Sequence, residues 1–413
     1  MAAHPAVSDD FRFVIVRFDF CSPLSGLIQA ELFPSLIDSL KLAIMNMRLL
    51  WVFSVTLPLS AFLGCSQHVS QVGSGPVPVP VSPVKPVTRD VAGDAGGNYH
   101  AQRLSGDFAG YPAAERFVDK MVAQHGFSRE YLYGLLSQAQ RKEWTIEYMN
   151  KEKPTTKPKP GGWTRYRAKF LDDRHISAGA SFWARHASAL ERASQQYGVS
   201  PEHILGIMGV ETIYGANLGN HRIIDALSTL AFDYPRRAEY FESELESLLI
   251  MSRNERQDPS RPKGSFAGAM GLGQFMPSSF LKYAVDFNGD GLKDLWDPED
   301  AIGSIANYFS EFGWRPGEPV VSPAEVQGNQ IEGLTAGFDT KYSLATLASY
   351  GVRPTLNFPA DEVSLLKLSV TNGDDYYVGY PNFYVITRYN HSTYYAMAVH
   401  QLGQAIKQRH QGR

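Results

Sequence analysis

The chain has 413 residues, 44% of them hydrophobic, which is the length of two or three domains and the composition of an ordinary globular protein. Its 39 basic and 42 acidic residues give a formal net charge of −3, which excludes the electrostatic footprint of a nucleic-acid binder. The two cysteines, Cys21 and Cys65, are too few for a disulfide framework or a cysteine metal centre.

Met45, Met47 and Arg48 open an apolar stretch that runs from Leu49 to Gly64. It is too short to cross a membrane comfortably and reads as a signal peptide over residues 45–64. Phe62-Leu63-Gly64-Cys65 resembles a bacterial lipobox, with Phe62 where leucine is usual; Cys65 is then the acylated first mature residue. Residues 1–44 lie upstream of a complete signal, so they read as a mis-called extension and Met45 or Met47 as the true start. Residues 65–103 are rich in Pro, Gly, Ser and Val and form a flexible linker. At roughly 3 Å per extended residue it reaches on the order of 100 Å, a useful tether for an enzyme acting on a distant polymer.

From residue 104 the pattern is helical. Phe117, Met121 and Val122 mark one amphipathic stretch, and Tyr131, Leu132, Leu135 and Leu136 a second. A basic Pro-rich loop, residues 151–162, precedes Trp163. Helical spacing returns from Trp183 through Ala187, Leu190 and Ala193 to Tyr197, from Tyr240 to Leu249, and from Ile302 to Phe312. Between about 319 and 388 the character turns strand-like: Val363 to Val370, Tyr376 to Tyr380, and Phe383 to Tyr389 read as strands. A last helix carries Tyr395, Ala398, Val399, Leu402 and Ile406, with Ser392 or Thr393 as its N-cap.

Three segments carry chemistry. Glu211 closes an apolar run of Ile204, Leu205, Ile207, Met208 and Val210. A poorly solvated carboxyl holds its proton above the usual carboxylate range and can protonate a leaving group. Gly264 to Ser279 repeats glycine around Ser265 and Gln274, a pattern that suits close approach to a ligand and tight backbone packing equally. Asp286, Asn288, Asp290, Leu292 (through its carbonyl), Asp294 and Asp297 fit a calcium-binding EF-hand loop, with Gly291 at its sharp turn. Asp297 stands where glutamate is usual, and the shorter carboxylate implies weaker binding.

Taken together, Gly209 to Thr212, Asp233 to Phe241, Gly264 to Ser279, Asp286 to Asp297 and Pro381 to Ser392 resemble the membrane-bound lytic murein transglycosylase B family, from about residue 104 to 408. The resemblance implies an α+β, mainly α fold: a lysozyme-like catalytic core with a helical α domain and a small β domain. On this chain the α domain covers 104–192, the core 193–318, the β domain 319–382, and 383–413 returns to the core. It implies cleavage of the β-1,4 bond between N-acetylmuramic acid and N-acetylglucosamine in peptidoglycan. It also implies Glu211 as the single acid and base, with Ser265, Gln274, Tyr389 and Asn390 near the reacting sugar and Arg236, Arg237, Tyr166, Tyr308 and Tyr395 along the glycan cleft. The partners it implies are glycan strands and, through a lipid on Cys65, the periplasmic face of the outer membrane; the protein is expected to act as a monomer.

Most glycosidases use two carboxylates about 5 to 9 Å apart. Asp225 and Glu202, the nearest acids in sequence, read as helix-positioning residues, so the N-acetyl group of the substrate takes the second role. A hydrolytic muramidase and a non-catalytic peptidoglycan-binding lipoprotein remain open alternatives.

Overall fold

A computed structural model describes residues 93–151 and 160–412. The signal-peptide reading, Cys65, most of the linker and much of the Pro-rich loop lie outside the described residues.

Helices α1 (Pro112–His125), α2 (Arg129–Leu136) and α3 (Glu143–Lys151) come first. The apolar faces marked in the sequence are largely the buried ones: Phe117 and Met121 in α1, where Val118 joins them and Val122 is half-buried, and Tyr131, Leu132, Leu135 and Leu136 in α2. Then follow α4 (Gly162–Arg167), α5 (Asp173–Arg185) and α6 (Ala187–Tyr197). The spacing from Trp183 to Tyr197 reads as one helix, but the backbone turns at His186 (φ −117°) and divides it. Leu190, Ala193 and Tyr197 stay buried beyond the break, so packing survives where the hydrogen-bond ladder does not.

Helix α7 (Pro201–Thr212) is apolar on nearly every side, and Ile204, Leu205, Ile207 and Met208 are fully buried. Such a helix belongs at the centre of a core. The short strand β1 (His221–Arg222) leads into α8 (Ile223–Asp233) and α9 (Ala238–Asn254), and pairs antiparallel with β2 (Lys263–Gly264). Helices α10 (Pro277–Tyr283) and α11 (Pro298–Glu311) flank the acidic loop.

The sheet comes next in the chain. Strand β3 (Val321–Val326), helix α12 (Leu344–Ser349), β4 (Val352–Pro354), β5 (Ser364–Val370) and β6 (Gly373–Gly379) form a four-stranded antiparallel sheet of order β4-β3-β6-β5. Side chains alternate across a strand. In β5 this sends Leu365 to a local core with Leu347, Val352, Val363 and Val378, and sends Leu366 and Leu368 to the main core.

Phe383 to Tyr389, which reads as a strand, is helix α13 (Pro381–Tyr389). Pro381 sits in its first turn, where a missing N–H costs nothing. The β-branched and aromatic residues there reflect burial: Phe383, Val385, Ile386 and Tyr389 all face inward. Helix α14 (Thr393–Gln411) closes the described chain, and the Ser392 side chain accepts the Tyr395 N–H as its cap.

Helix α14 crosses α7 at very short range. A Cβ on Gly206 would lie 2.3 Å from the Val399 carbonyl oxygen, and one on Gly403 would lie 2.2 Å from that of Glu202. Only glycine permits the two backbones to meet this way. The crossing sets the start of α14 beside the end of α7, where Glu211 lies.

Candidate active site

Glu211 sits in the last turn of α7 and is half-buried. The helix ends in an unusual run: Ile213 (φ +51°), Tyr214 (φ +54°) and Gly215 (φ +91°) are all left-handed. A β-branched residue there is strained, and such strain persists only where surroundings enforce it. Thr212 supplies part of that enforcement. Its hydroxyl points to the Leu272 carbonyl at 2.9 Å and accepts the Gly215 N–H at 3.1 Å, tying the helix end to the glycine-rich loop.

The Tyr395 hydroxyl donates to Glu211 Oε1 at 2.5 Å. Two effects oppose each other at this carboxyl. Burial raises its pKa and the Tyr395 bond lowers it; burial wins, and Glu211 is pushed up to about 7. Burial, followed by the charge of Glu211, also holds the hydroxyls of Tyr166, Tyr389 and Tyr395 above the usual phenol range. All three therefore stay protonated near the carboxyl and can act as hydrogen-bond donors. The Tyr166 hydroxyl is buried and lacks a protein partner among the described residues, Tyr389 donates to the Gly273 carbonyl at 2.5 Å, and Tyr395 holds Glu211.

The glycine-rich loop carries Ser265 and Gln274. Ser265 is buried, and its oxygen accepts the Ala267 and Ala269 N–H groups at 3.3 and 2.9 Å, leaving the hydroxyl proton free to donate. Gln274 adopts a left-handed backbone (φ +51°), a conformation that costs on the order of 1–3 kcal/mol outside glycine. Its amide nitrogen donates to the carbonyls of Gly271 and Leu218, which leaves the amide oxygen as an acceptor for a ligand. Asn390 ends α13 and is buried, and no side-chain hydrogen bond holds its amide among the described residues.

The remaining cleft residues behave differently. Tyr308 is buried, packs its ring 4.9 Å from Tyr389 and donates its hydroxyl to the Arg388 carbonyl, so it buttresses Tyr389 from behind. Arg236 and Arg237 end a 3-10 turn. Arg237 lies over the Tyr240 ring at 4.4 Å, Arg236 is exposed, and among the described residues neither is ion-paired or bonded to Glu211. Asp225 and Glu202 are engaged elsewhere: Asp225 accepts the Gln140 N–H and pairs with Arg222 at 2.7 Å, and Glu202 pairs with Lys407 at 2.8 Å.

In the acidic loop, Asp286 accepts the N–H groups of Gly289, Asp290 and Gly291, the Asn288 and Asp290 side chains accept those of Asp290 and Leu292, and Asp294 accepts that of Trp296. Leu292 is exposed. Asp297, expected to close the loop, also caps α11 by accepting the Glu299 and Asp300 N–H groups. The carboxylate that ties the two ends of the loop together by hydrogen bonds is Asp300. It is 1% exposed, and it accepts from Phe287, Asn288 and Asp294. Burial holds its proton above the usual range despite those bonds, and the Asp297 charge adds to the effect. An all-oxygen set with a buried, charge-crowded member suits a hard cation such as calcium. No three acidic or histidine side chains among the described residues yet stand close enough to hold a metal.

Comparison with known proteins settles the kinship of this arrangement. Residues 110–404 match the transglycosylase SLT domain. Over 314 residues the chain is 53% identical to membrane-bound lytic murein transglycosylase B of Escherichia coli (strain K12), spanning 75% of this chain and 86% of that protein. The chain belongs to the membrane-bound lytic murein transglycosylase B family. Solved structures of the Escherichia coli lytic transglycosylase SLT35, one in complex with bulgecin A and one with calcium, align with this transglycosylase at a TM-score of 0.71 and 52% identity, over 75% of this chain and 96% of theirs.

Two residues of this transglycosylase escape a reading of sequence alone. Thr212 follows Glu211 directly, but its tie to Leu272 spans 60 positions and leaves no periodic trace. Asp300 lies beyond the twelfth loop position, so a standard twelve-residue EF-hand pattern stops short of it.

Proposed function

We propose that this transglycosylase cleaves the β-1,4 bond between N-acetylmuramic acid and N-acetylglucosamine with Glu211 as its only acid and base, and leaves a 1,6-anhydromuramic end. The supporting observation is a lone carboxyl held near pKa 7 beside a phenol donor, with the nearest acids in sequence engaged elsewhere. Protonated Glu211 gives its proton to the departing glycosidic oxygen. The N-acetyl carbonyl of the same muramic acid supports its C1 as that bond breaks. Glu211, now a carboxylate, takes the proton of the C6 hydroxyl, and the C6 oxygen closes on C1. No water is consumed, and Glu211 ends protonated again.

Ser265 is proposed to donate its free proton to the acetamido group, while Gln274 and Asn390 bond the sugar with the amide atoms that the protein leaves unused. Tyr389 and Tyr395 hold the carboxyl's surroundings, with Tyr308 behind them, and Tyr166, Arg236 and Arg237 contact the strand further along. The loop from Asp286 to Asp300 is proposed to bind calcium through Asp286, Asn288, Asp290, the Leu292 carbonyl and Asp294, with Asp300 joining or replacing Asp297. Calcium would supply positive charge that relieves the crowding of Asp297 and Asp300. Cys65 is proposed to carry the lipid that places a monomeric enzyme on the periplasmic face of the outer membrane. The division into α domain, core and β domain at about 193, 319 and 383 belongs to the same proposal.

Mass spectrometry of products from purified sacculi tests the chemistry. Anhydro ends, lighter by one water than hydrolytic ends, are expected, together with loss of cleavage in Glu211→Gln. Hydrolytic ends would make the enzyme a muramidase, and no release at all would make it a binding protein.

A further inference from the structure

Trp144, on α3, is the most exposed large hydrophobic side chain among the described residues, with 49% of its surface open. Helix α3 has other anchors: Thr145 and Met149 are buried within it, and the segment just before it is held by the Gln140 N–H on Asp225 and the Lys142 N–H on Thr229. The ring stands in an aromatic strip. His221 is 10° from parallel at 5.5 Å, Tyr148 is 29° from parallel at 5.0 Å, and Phe266 meets the indole edge-on at 5.5 Å.

This strip is continuous with the proposed active site. Phe266 directly follows Ser265, and His221 is the strand partner of Gly264, which directly precedes it. The adjacent charges are largely satisfied: Arg141 pairs with Glu143 and with Asp233. An exposed, mostly uncharged aromatic strip beside a catalytic loop is an unusual surface to leave in water.

We infer that Trp144, flanked by Tyr148 and His221, is a sugar-binding platform that takes a pyranose ring of the glycan strand at a distance from the bond broken at Glu211. A β-1,4-linked pyranose carries its polar groups equatorially and its axial C–H groups on its faces. Those faces are apolar and slightly positive, which matches the negative face of an aromatic ring. The inference rests on the proposed action on glycan strands, and it adds a grip that only a strand long enough to reach α3 can use.

The test measures binding without turnover. In a Glu211→Gln background, β-1,4-linked N-acetylglucosamine oligomers of increasing length are titrated by calorimetry against the parent, Trp144→Ala and Trp144→Phe. The expected result is an affinity loss of about three- to tenfold for the long oligomers in Trp144→Ala, from an aromatic contact of ordinary strength. The disaccharide is expected to be unaffected, and Trp144→Phe to recover much of the loss. Equal affinities for parent and Trp144→Ala at every length would overturn the platform, and so would a loss of the same factor at every length. The oligomers lack the muramic acid whose bond is cut, so wild-type cleavage of sacculi by Glu211→Gln would sink the catalytic proposal while leaving this binding comparison intact.

Discussion

In the proposed cycle Glu211 performs two opposite tasks, and a pKa pushed up to about 7 suits one carboxyl to both close to neutrality. Below about 7 the free enzyme holds the proton needed for the first step; above it, that proton is lost. The value of kcat/KM is therefore expected to fall as pH rises through about 7. The Tyr395 bond favours the carboxylate, so removing the donor raises the pKa further. In Tyr395→Phe the falling limb is expected to move to more alkaline pH. A pH profile of both enzymes on the same soluble glycan decides this, and an unmoved or acid-shifted limb would remove Tyr395 from the tuning of Glu211. The apolar run before Glu211 announces the raised pKa in the sequence, whereas its partner is 184 positions away and only packing brings it close.

Two helices must cross almost backbone to backbone for that pair to form. Gly206→Ala inserts a methyl 2.3 Å from the Val399 carbonyl, so α14 has to shift. Overpacking of this kind costs about 1–3 kcal/mol. Urea denaturation is expected to show that loss, with reduced activity because Tyr395 rides on the displaced helix. Unchanged stability would mean that the crossing is soft. The elements themselves were readable where burial repeats regularly, as in α1, α2, α9 and α14. They are not readable where residue type and period disagree: Phe383 to Tyr389 carries strand-forming residues on a helical stripe. Similarly, the period from Trp183 to Tyr197 passes unbroken over the turn at His186.

The acidic loop bears on the stability of the whole molecule because it joins α10 to α11, and α11 lies in the main core. A ligand that binds only the folded state stabilises it by mass action, by about 2.7 kcal/mol at a hundredfold excess over Kd. Calcium is therefore expected to raise the melting temperature and a chelator to lower it, with Asp300→Asn blunting the response more than Asp297→Asn. Calorimetric melts of the three proteins with and without calcium measure this, and identical curves would reject the metal site. The spacing of oxygen donors is visible in the sequence; the hydrogen bonds from Asp300 back to the loop are not, because they depend on how the first turn of α11 is placed and capped.

The 184 positions between acid and phenol also order events in time. A ribosome emits Glu211 long before residue 395, so a growing or truncated polypeptide has the carboxyl but not the hydroxyl that steadies it. The proposed wall-cutting site is therefore assembled only once helix α14 has been made.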